Sequence, residues 1–378
     1  MKIAVDARSL STRPTGVGQY LMAAVNVWSA LHADVEFELL SHKPLHPAAR
    51  EALTRSGNVR FHCRPSSVLQ GNGLWWLIHR CEASARLLGA DVLWGAGGLL
   101  PPLSRMPTLL TVHDLVYRSL PGTMALRTRL AYGSLAGRSI KRADALWAVS
   151  NYTADEIRRF YPQRRAERIY VGSGLNPLRP DTPAEGLADV KARYGVSGQT
   201  LLFVGTLEPR KNLRFLLALM PALAAQGLDL LIVGCSGWGR SDLAGIVRAP
   251  GFPAESVRFS DYVPDADLQA LYRCVSLFVS TSLMEGFGLP QLEAMAEGCP
   301  VIAPNNSAMT EVVASGGTLV SGWQAQDWVE AILLTHARRE QFRPAAILQA
   351  GKHSMESPVR QVHRHIAASL RRASENHA

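Results

Sequence analysis

The sequence predicts an α/β protein built from two doubly wound domains, and three observations carry that expectation. Its 378 residues exceed the roughly 250–300 at which a single core stops growing. Short apolar or β-branched runs alternate with helical patterns along the chain, as in parallel sheets covered on both faces. One stretch, 173–184 (SGLNPLRPDTPA), interrupts the alternation with three prolines and no periodicity.

In the first half, strands are expected at 2–7, 36–41, 59–63, 91–95, 108–113, 145–150 and 168–172, with helices at 18–32, 74–89, 124–142 and 153–160. After the break, strands at 200–205, 229–234, 257–260, 277–282, 300–304 and 318–320 alternate with helices at 213–226, 265–274, 290–297 and 326–336. A basic amphipathic helix is expected at 358–372. These spans give a first domain at 1–175, a linker at 176–199 and a second domain at 200–355. The C-terminal segment 356–378 is expected to pack back on the first domain.

A composition of 47% hydrophobic and 19% charged residues suits packed cores rather than disorder. No apolar run reaches the ~18 residues of a spanning helix. Asp6 and Arg8 interrupt the N-terminal apolar run, which therefore reads as a strand and not a signal peptide. Five scattered cysteines without a CxxC pair are expected to be free, buried thiols in a reducing cytoplasm. A net charge of +9 favours anionic partners without choosing among nucleic acid, lipid headgroups and phosphorylated substrates.

Ligands of open α/β sheets bind outside the carboxyl ends of the strands, so the loops that follow strands matter most. After the strand at 200–205 comes Thr206-Leu207-Glu208-Pro209-Arg210-Lys211-Asn212. Arg210 and Lys211 stand where a helix begins, and two cations beside exposed backbone N–H groups would hold an anion. A solvated surface pair is the alternative. After the strand at 277–282 comes Met284-Glu285-Gly286-Phe287-Gly288-Leu289-Pro290, then Gln291-Leu292-Glu293. Pro290 suits a first helical turn, and the glycines let backbone approach a ligand. Glu285 in the loop and Glu293 on the helix can accept hydrogen bonds from sugar hydroxyls, although Glu293 could equally serve the helix dipole. A diphosphate leaving group beside a polyhydroxylated sugar needs this set.

The run EGFGLPQLE, Glu285 to Glu293, resembles the E-x7-E signature of family 4 glycosyltransferases, a retaining family with the GT-B fold. GTLEPRKN, Gly205 to Asn212, resembles their phosphate loop, especially that of bacterial polysaccharide and O-antigen mannosyltransferases. Gly16-Val17-Gly18, His113-Asp114, Val149-Ser150, Asp261-Tyr262-Val263 and Ala303-Pro304-Asn305 follow in that family's order. The resemblance implies two Rossmann-like domains facing across a cleft, the first binding acceptor and the second a nucleotide sugar. It implies a catalytic set of His113, Arg210, Lys211 and Glu285. In that set, Arg210 and Lys211 neutralise the donor diphosphate, Glu285 holds hydroxyls of the transferred sugar, and His113 sits at the reaction centre. It further implies that Phe287 and Gly288 present N–H groups to the donor and that Glu293 binds the ribose. Gly16 and Gly18 would allow close approach of the first-domain loop, and Thr206, Tyr262, Val263 and Leu289 would be further donor-binding positions. The chain departs from the family where Thr206 replaces a frequent Arg and Asp261 replaces a usual Gly.

The implied activity is retaining hexosyl transfer to a glycan or lipid-diphosphate-linked acceptor of bacterial surface polysaccharide, with GDP-mannose the expected donor. No metal or other cofactor is expected. The triplet Asp265-Ala266-Asp267 opens a helix and reads as an N-cap followed by a first-turn acid, not as a metal ligand pair. Residues 118–168 hold 11 Lys or Arg against four acids, and Arg127, Arg138, Lys141 and Arg142 share one helix side. This side is expected to meet anionic lipid at the cytoplasmic face of the inner membrane, with a solvated basic face as the alternative. Without the resemblance, His113 could simply cap the next turn, and Trp75 and Trp76 could be core or an acceptor platform. A nucleotide-sugar epimerase is a rival on the same architecture. A nucleic-acid-binding protein is a second rival, but the basic residues show no motif and little aromatic interleaving, so no nucleic-acid partner is expected. A nicotinamide dehydrogenase would need a GxGxxG turn after the first strand, and none is there.

Overall fold

A computed structural model describes residues 1–54, 56–63, 72–164, 168–175, 186–235, 237 and 243–375. The chain divides into two compact units. One comprises Met1–Ser119, Leu126–Leu178 and Ser354–Ala378, and the other Leu120–Ala125 and Arg179–His353.

The first unit holds a seven-stranded parallel sheet in the order β3-β2-β1-β4-β5-β6-β7. Its strands are β1 Lys2–Asp6, β2 Glu36–Ser41, β3 Val59–Cys63, β4 Val92–Gly95, β5 Thr108–Val112, β6 Ala145–Ala148 and β7 Ile169–Val171. Every residue of β4, β5 and β6 is buried. That is why these strands are continuous apolar runs: a sheet covered on both faces has no solvent side to mark by alternation. Trp28, Trp94 and Trp147 fill the core, Trp94 and Trp147 stacking with ring centroids 5.7 Å apart. Their indole N–H groups are satisfied, Trp94 donating to the Thr111 hydroxyl at 2.9 Å and Trp147 to the Gly172 carbonyl at 2.8 Å. Trp76 is also fully buried, whereas Trp75 is half-buried against the His79 ring. The helix Glu356–Glu375 belongs to this unit: His363 stacks on His32, which caps the C-terminus of the helix Gly16–Leu31, and Trp28 of that helix donates to His363 Nδ1 at 3.2 Å.

The second unit holds a six-stranded parallel sheet in the order β10-β9-β8-β11-β12-β13. These are β8 Thr200–Val204, β9 Asp229–Val233, β10 Val257–Ser260, β11 Leu277–Val279, β12 Val301–Pro304 and β13 Gly317–Val320. The helix Leu213–Ala224 covers one side of the core with Leu213, Leu216, Leu217, Met220 and Leu223. In each sheet the order reverses once, between β1 and β4 and between β8 and β11. Connections leave such a pair in opposite directions, so a crevice opens at the carboxyl ends of its strands.

Several sequence expectations need correction. The linker expected at 176–199 contains the helix Leu187–Tyr194, closed by Gly195 at φ 62. Arg193 and the Tyr194 hydroxyl donate to Asp267 at 2.6 and 2.8 Å, which ties that helix to the helix Asp265–Cys274 of the second unit. The second unit therefore begins earlier than residue 200, and the rest of the expected linker, 176–185, lies outside the described residues. Asp265 is the first residue inside its helix and Pro264 takes the cap position, so the Asp265–Asp267 pair is first-turn acid and inter-helix tie. The helices Pro47–Thr54 and Arg339–Ala350 were not expected, the second because Pro344 lies within it. All five cysteines are free, but only Cys81, Cys274 and Cys299 are buried, while Cys63 and Cys235 are exposed. Among the described residues no helix is long and apolar enough to cross a membrane.

Candidate active site

The reversal point of the second sheet builds the site. β8 and β11 are neighbours, with Leu201 opposite Leu277 and Leu202 opposite Phe278, so the loops that follow them converge. Gly205 and Gly234 both have φ near 154°, and a Cβ on Gly234 would overlap the Gly205 carbonyl oxygen. Only glycine lets the ends of β8 and β9 approach so closely. Beyond Gly205 the chain makes one tight turn, Pro209–Lys211, and Asn212 at φ 53 redirects it into the helix Leu213–Ala224. The two loops are joined by backbone. The Leu283 N–H donates to the Arg210 carbonyl at 2.8 Å, and the Thr281 hydroxyl donates to the Lys211 carbonyl at 3.0 Å.

Glu285 lies at the centre, with 6% of its surface exposed. Lys211 Nζ donates to its Oε1 at 2.6 Å, the Ser282 hydroxyl to the same oxygen at 2.6 Å, and Arg210 to its Oε2 at 2.7 Å. Arg210 also donates to Glu208 at 2.6 Å and to the Met284 carbonyl at 2.6 Å. Burial by itself would raise the Glu285 carboxyl. The Arg210 and Lys211 charges outweigh it and, with the hydrogen bonds from Lys211 and Ser282, hold the carboxyl down at about 2. The cluster carries two cations and two carboxylates and is close to neutral as it stands. An arriving dianion would find both cations already oriented.

Beside this cluster the helix Leu289–Ala296 begins, with Gly288 at φ 104 in the cap position and Pro290 in the first turn. Its first backbone N–H groups have no partner within the helix, which makes that end anion-seeking. Gln291 donates to the Ser280 hydroxyl at 2.8 Å and fixes the first turn over the end of β11.

The structure thus brings together Arg210, Lys211, Glu285, Phe287 and Gly288. Thr206 and Leu289 are half-buried in the same two loops. Glu293 is half-buried on the helix and accepts from the Tyr272 hydroxyl at 3.3 Å. Tyr262 and Val263 follow β10, at the sheet edge two strands from β8. Tyr262 is exposed, whereas Val263 is buried and has only backbone to offer a ligand. Three contributors were assigned no role from sequence: Ser282, Glu208 and Ser307, whose hydroxyl accepts the Glu285 N–H at 3.0 Å. Glu208 lies within the GTLEPRKN run, but its contact with Arg210 depends on the turn between them.

In the first unit, His113 follows β5. Its Nε2–H donates to the Ala96 carbonyl at 2.8 Å and its ring meets Tyr20 edge-on at 5.0 Å. The turn is capped by Asp114, which accepts the Val116 N–H at 3.1 Å, and not by His113. Burial lowers the His113 pKa, and the Ala96 hydrogen bond and the Asp114 charge oppose it in part. The ring is therefore neutral near pH 7, with Nδ1 left as an acceptor. A Cβ on Gly18 would crowd Pro14 at 3.0 Å, so packing within this unit accounts for that glycine. Gly16 opens the helix Gly16–Leu31 and faces open space. In the basic stretch, Arg158 pairs with Asp155 at 2.6 Å, Arg159 with Glu156 at 3.4 Å, and Arg118 lies over the Tyr161 ring. Arg165, Glu167 and the Arg127 side chain lie outside the described residues.

Residues 14–173 match the family described as Glycosyltransferase Family 4, and residues 198–337 match Glycosyl transferases group 1. The O-antigen chain mannosyltransferase B of Escherichia coli is 34% identical over 374 residues, covering 94% of this chain and 97% of that protein. The serotype-specific mannosyltransferase WbdA of Escherichia coli is 28% identical over 223 residues, which are 57% of this chain and only 27% of WbdA. Among solved structures, Anabaena HepE in complex with UDP-glucose superposes with a TM-score of 0.75 at 19% identity, covering 97% of this chain and all of that one.

Proposed function

The chain belongs to the family 4, group 1 glycosyltransferases, and from that premise we propose that it transfers a mannosyl group from GDP-mannose to a glycan or lipid-linked acceptor in surface-polysaccharide synthesis. The observation that carries the donor-site assignment is the Arg210–Lys211–Glu285 cluster at the β8/β11 reversal, beside the start of the helix Leu289–Ala296. The preference for mannose rests on the near full-length likeness to a mannosyltransferase.

Cleaving a sugar–diphosphate bond leaves an oxocarbenium-like sugar and a more negative diphosphate. Fixed donors aimed at the leaving group contribute roughly 3–4 kcal/mol each in a dry site. Arg210, Lys211 and the helix N-terminus supply such charge without a metal ion. We propose retention by attack on the face from which the diphosphate departs, and not through a glycosyl-Glu285 intermediate. A carboxylate held at about 2 and already accepting from Lys211, Ser282 and Arg210 is a poor nucleophile. Its role is to orient the two cations and to accept a sugar hydroxyl on its remaining lone pair. His113, neutral and with Nδ1 as an acceptor, suits a hydroxyl donor on a substrate. Peripheral membrane binding is part of the proposal, supported by exposed Leu126 and Leu130 on the helix that carries Arg138, Lys141 and Arg142.

The test is a thermal-shift screen of GDP, UDP and dTDP sugars, followed by turnover with membrane extracts. GDP-mannose is expected to give the largest shift and the only transfer. Transfer from a UDP sugar alone would overturn the donor assignment. Isomerisation of donor without any acceptor would favour an epimerase.

A further inference from the structure

A cavity of about 560 Å³ lies in the first unit, lined by none of the residues assigned to donor binding or catalysis, although Arg138 and Arg142 of the basic helix reach it. It sits at the amino ends of the strands: Thr108 is the first residue of β5, Asp144 precedes β6 and Arg168 precedes β7. His113 lies past the carboxyl end of β5, which at 3.3 Å per residue is on the order of 15 Å away on the opposite edge of the same sheet. The volume is in the range of small-molecule sites, about 300–1,000 Å³.

Five arginines line this cavity: Arg105, Arg138, Arg142, Arg168 and Arg372. They come from four separate places in the chain: a loop, the helix Leu126–Arg142, the entry to β7 and the helix Glu356–Glu375. Among the described residues none of the five is ion-paired with a carboxylate. One acid, Asp144, also lines the cavity and accepts both the N–H and the hydroxyl of Thr108 at 2.9 Å. Guanidiniums cannot discharge at any physiological pH. Five like charges around one concavity favour the entry of an anion. His365, on the cavity wall, sits in that field: burial lowers its pKa first, the Arg168 and Arg372 charges lower it further, and the Asp144 charge opposes them in part. One wall is apolar, with Pro101, Pro102 and Leu135.

We propose that this cavity is a second anion site, separate from the donor site, that takes a phosphate-bearing group of at least two negative charges. Guanidinium forks match phosphate oxygens bidentately, which is why arginine, not lysine, is the suitable residue here. The phosphates could belong to a soluble diphosphate or to an anionic lipid headgroup. The site does not depend on the glycosyl-transfer assignment.

The test uses the full chain and the variants Arg105→Gln/Arg372→Gln and Arg168→Gln, all changed at exposed positions off the helix Leu126–Arg142, with folding checked by thermal melting. Inorganic diphosphate is titrated calorimetrically at low salt, and flotation is measured on vesicles with and without phosphatidylglycerol. The donor site is intact in each protein, so donor turnover should stay within about twofold and any difference between isotherms belongs to the cavity. A diphosphate-binding component weakened at least tenfold in the variants supports a soluble ligand. Unchanged isotherms with flotation on phosphatidylglycerol vesicles lost in the variants support a headgroup. Equal isotherms and equal flotation in folded variants overturn the site.

Discussion

Glu285→Ala tests whether Glu285 serves as the counter-charge of Arg210 and Lys211. The two cations have side-chain exposures of 13% and 11% and donate to Glu285 at 2.7 and 2.6 Å. Removing one partner of such a pair leaves uncompensated buried charge, at a cost of about 3–5 kcal/mol. For a unit of this size each kcal/mol corresponds to roughly 2–4 °C, so melting should fall by about 6–20 °C. Nucleoside diphosphate should restore part of that loss, because its phosphates replace the missing carboxylate. The ligand-induced rise in Tm should therefore be at least as large in the variant as in the parent. Turnover should still fall about 100-fold, on the scale of a lost transition-state contact. Differential scanning fluorimetry with and without GDP reads both effects. A variant that melts within about 2 °C of the parent, or whose nucleotide response disappears altogether, would refute the counter-charge role.

Other outcomes follow from the same geometry. Lys211→Ala should cut turnover about 100-fold or more while the isolated chain stays folded, and a near-normal rate in a steady-state assay would remove it from the donor site. Transfer should continue in excess chelator, since the cations are protein groups; activity abolished by EDTA and restored by a divalent ion would sink that mechanism. The Glu285 pKa is depressed from 4.5 to about 2, so its contribution to stability is complete above 4.5 and disappears as pH falls towards 2. It amounts to about 3 kcal/mol, and acid melts of parent and Glu285→Gln should converge across that window. Gly234→Ala should destabilise by about 1–3 kcal/mol or more, because its Cβ would overlap the Gly205 carbonyl, and an unchanged urea midpoint would contradict that packing.

Most of the fold was legible because a parallel sheet leaves a plain trace in sequence. β4, β5 and β6 are buried throughout and read as unbroken apolar runs, while the helix Asp265–Cys274 carries its acids in the first turn. Of the candidate site, the sequence pointed to Arg210, Lys211 and Glu285 because charged residues directly after buried strands stand out, and the structure places both cations within hydrogen-bonding distance of Glu285. Less visible were the helix Leu187–Tyr194, which buries only Val190 among its eight residues, and the helix Arg339–Ala350, masked by Pro344. Ser282 and Ser307 were invisible as well, because a serine in a loop says nothing until its partner is known.

The sequence by itself determined the alternation of strands and helices, the sheet class and the residue types at the loop ends, because these depend on local pattern and short spacing. Tertiary structure alone decided that Glu285 is already occupied by both cations and that five arginines from four distant places line one cavity. Each of these depends on which strands lie side by side. Strand order is a long-range property: it is set by how whole faces pack, and no window of neighbouring residues encodes it.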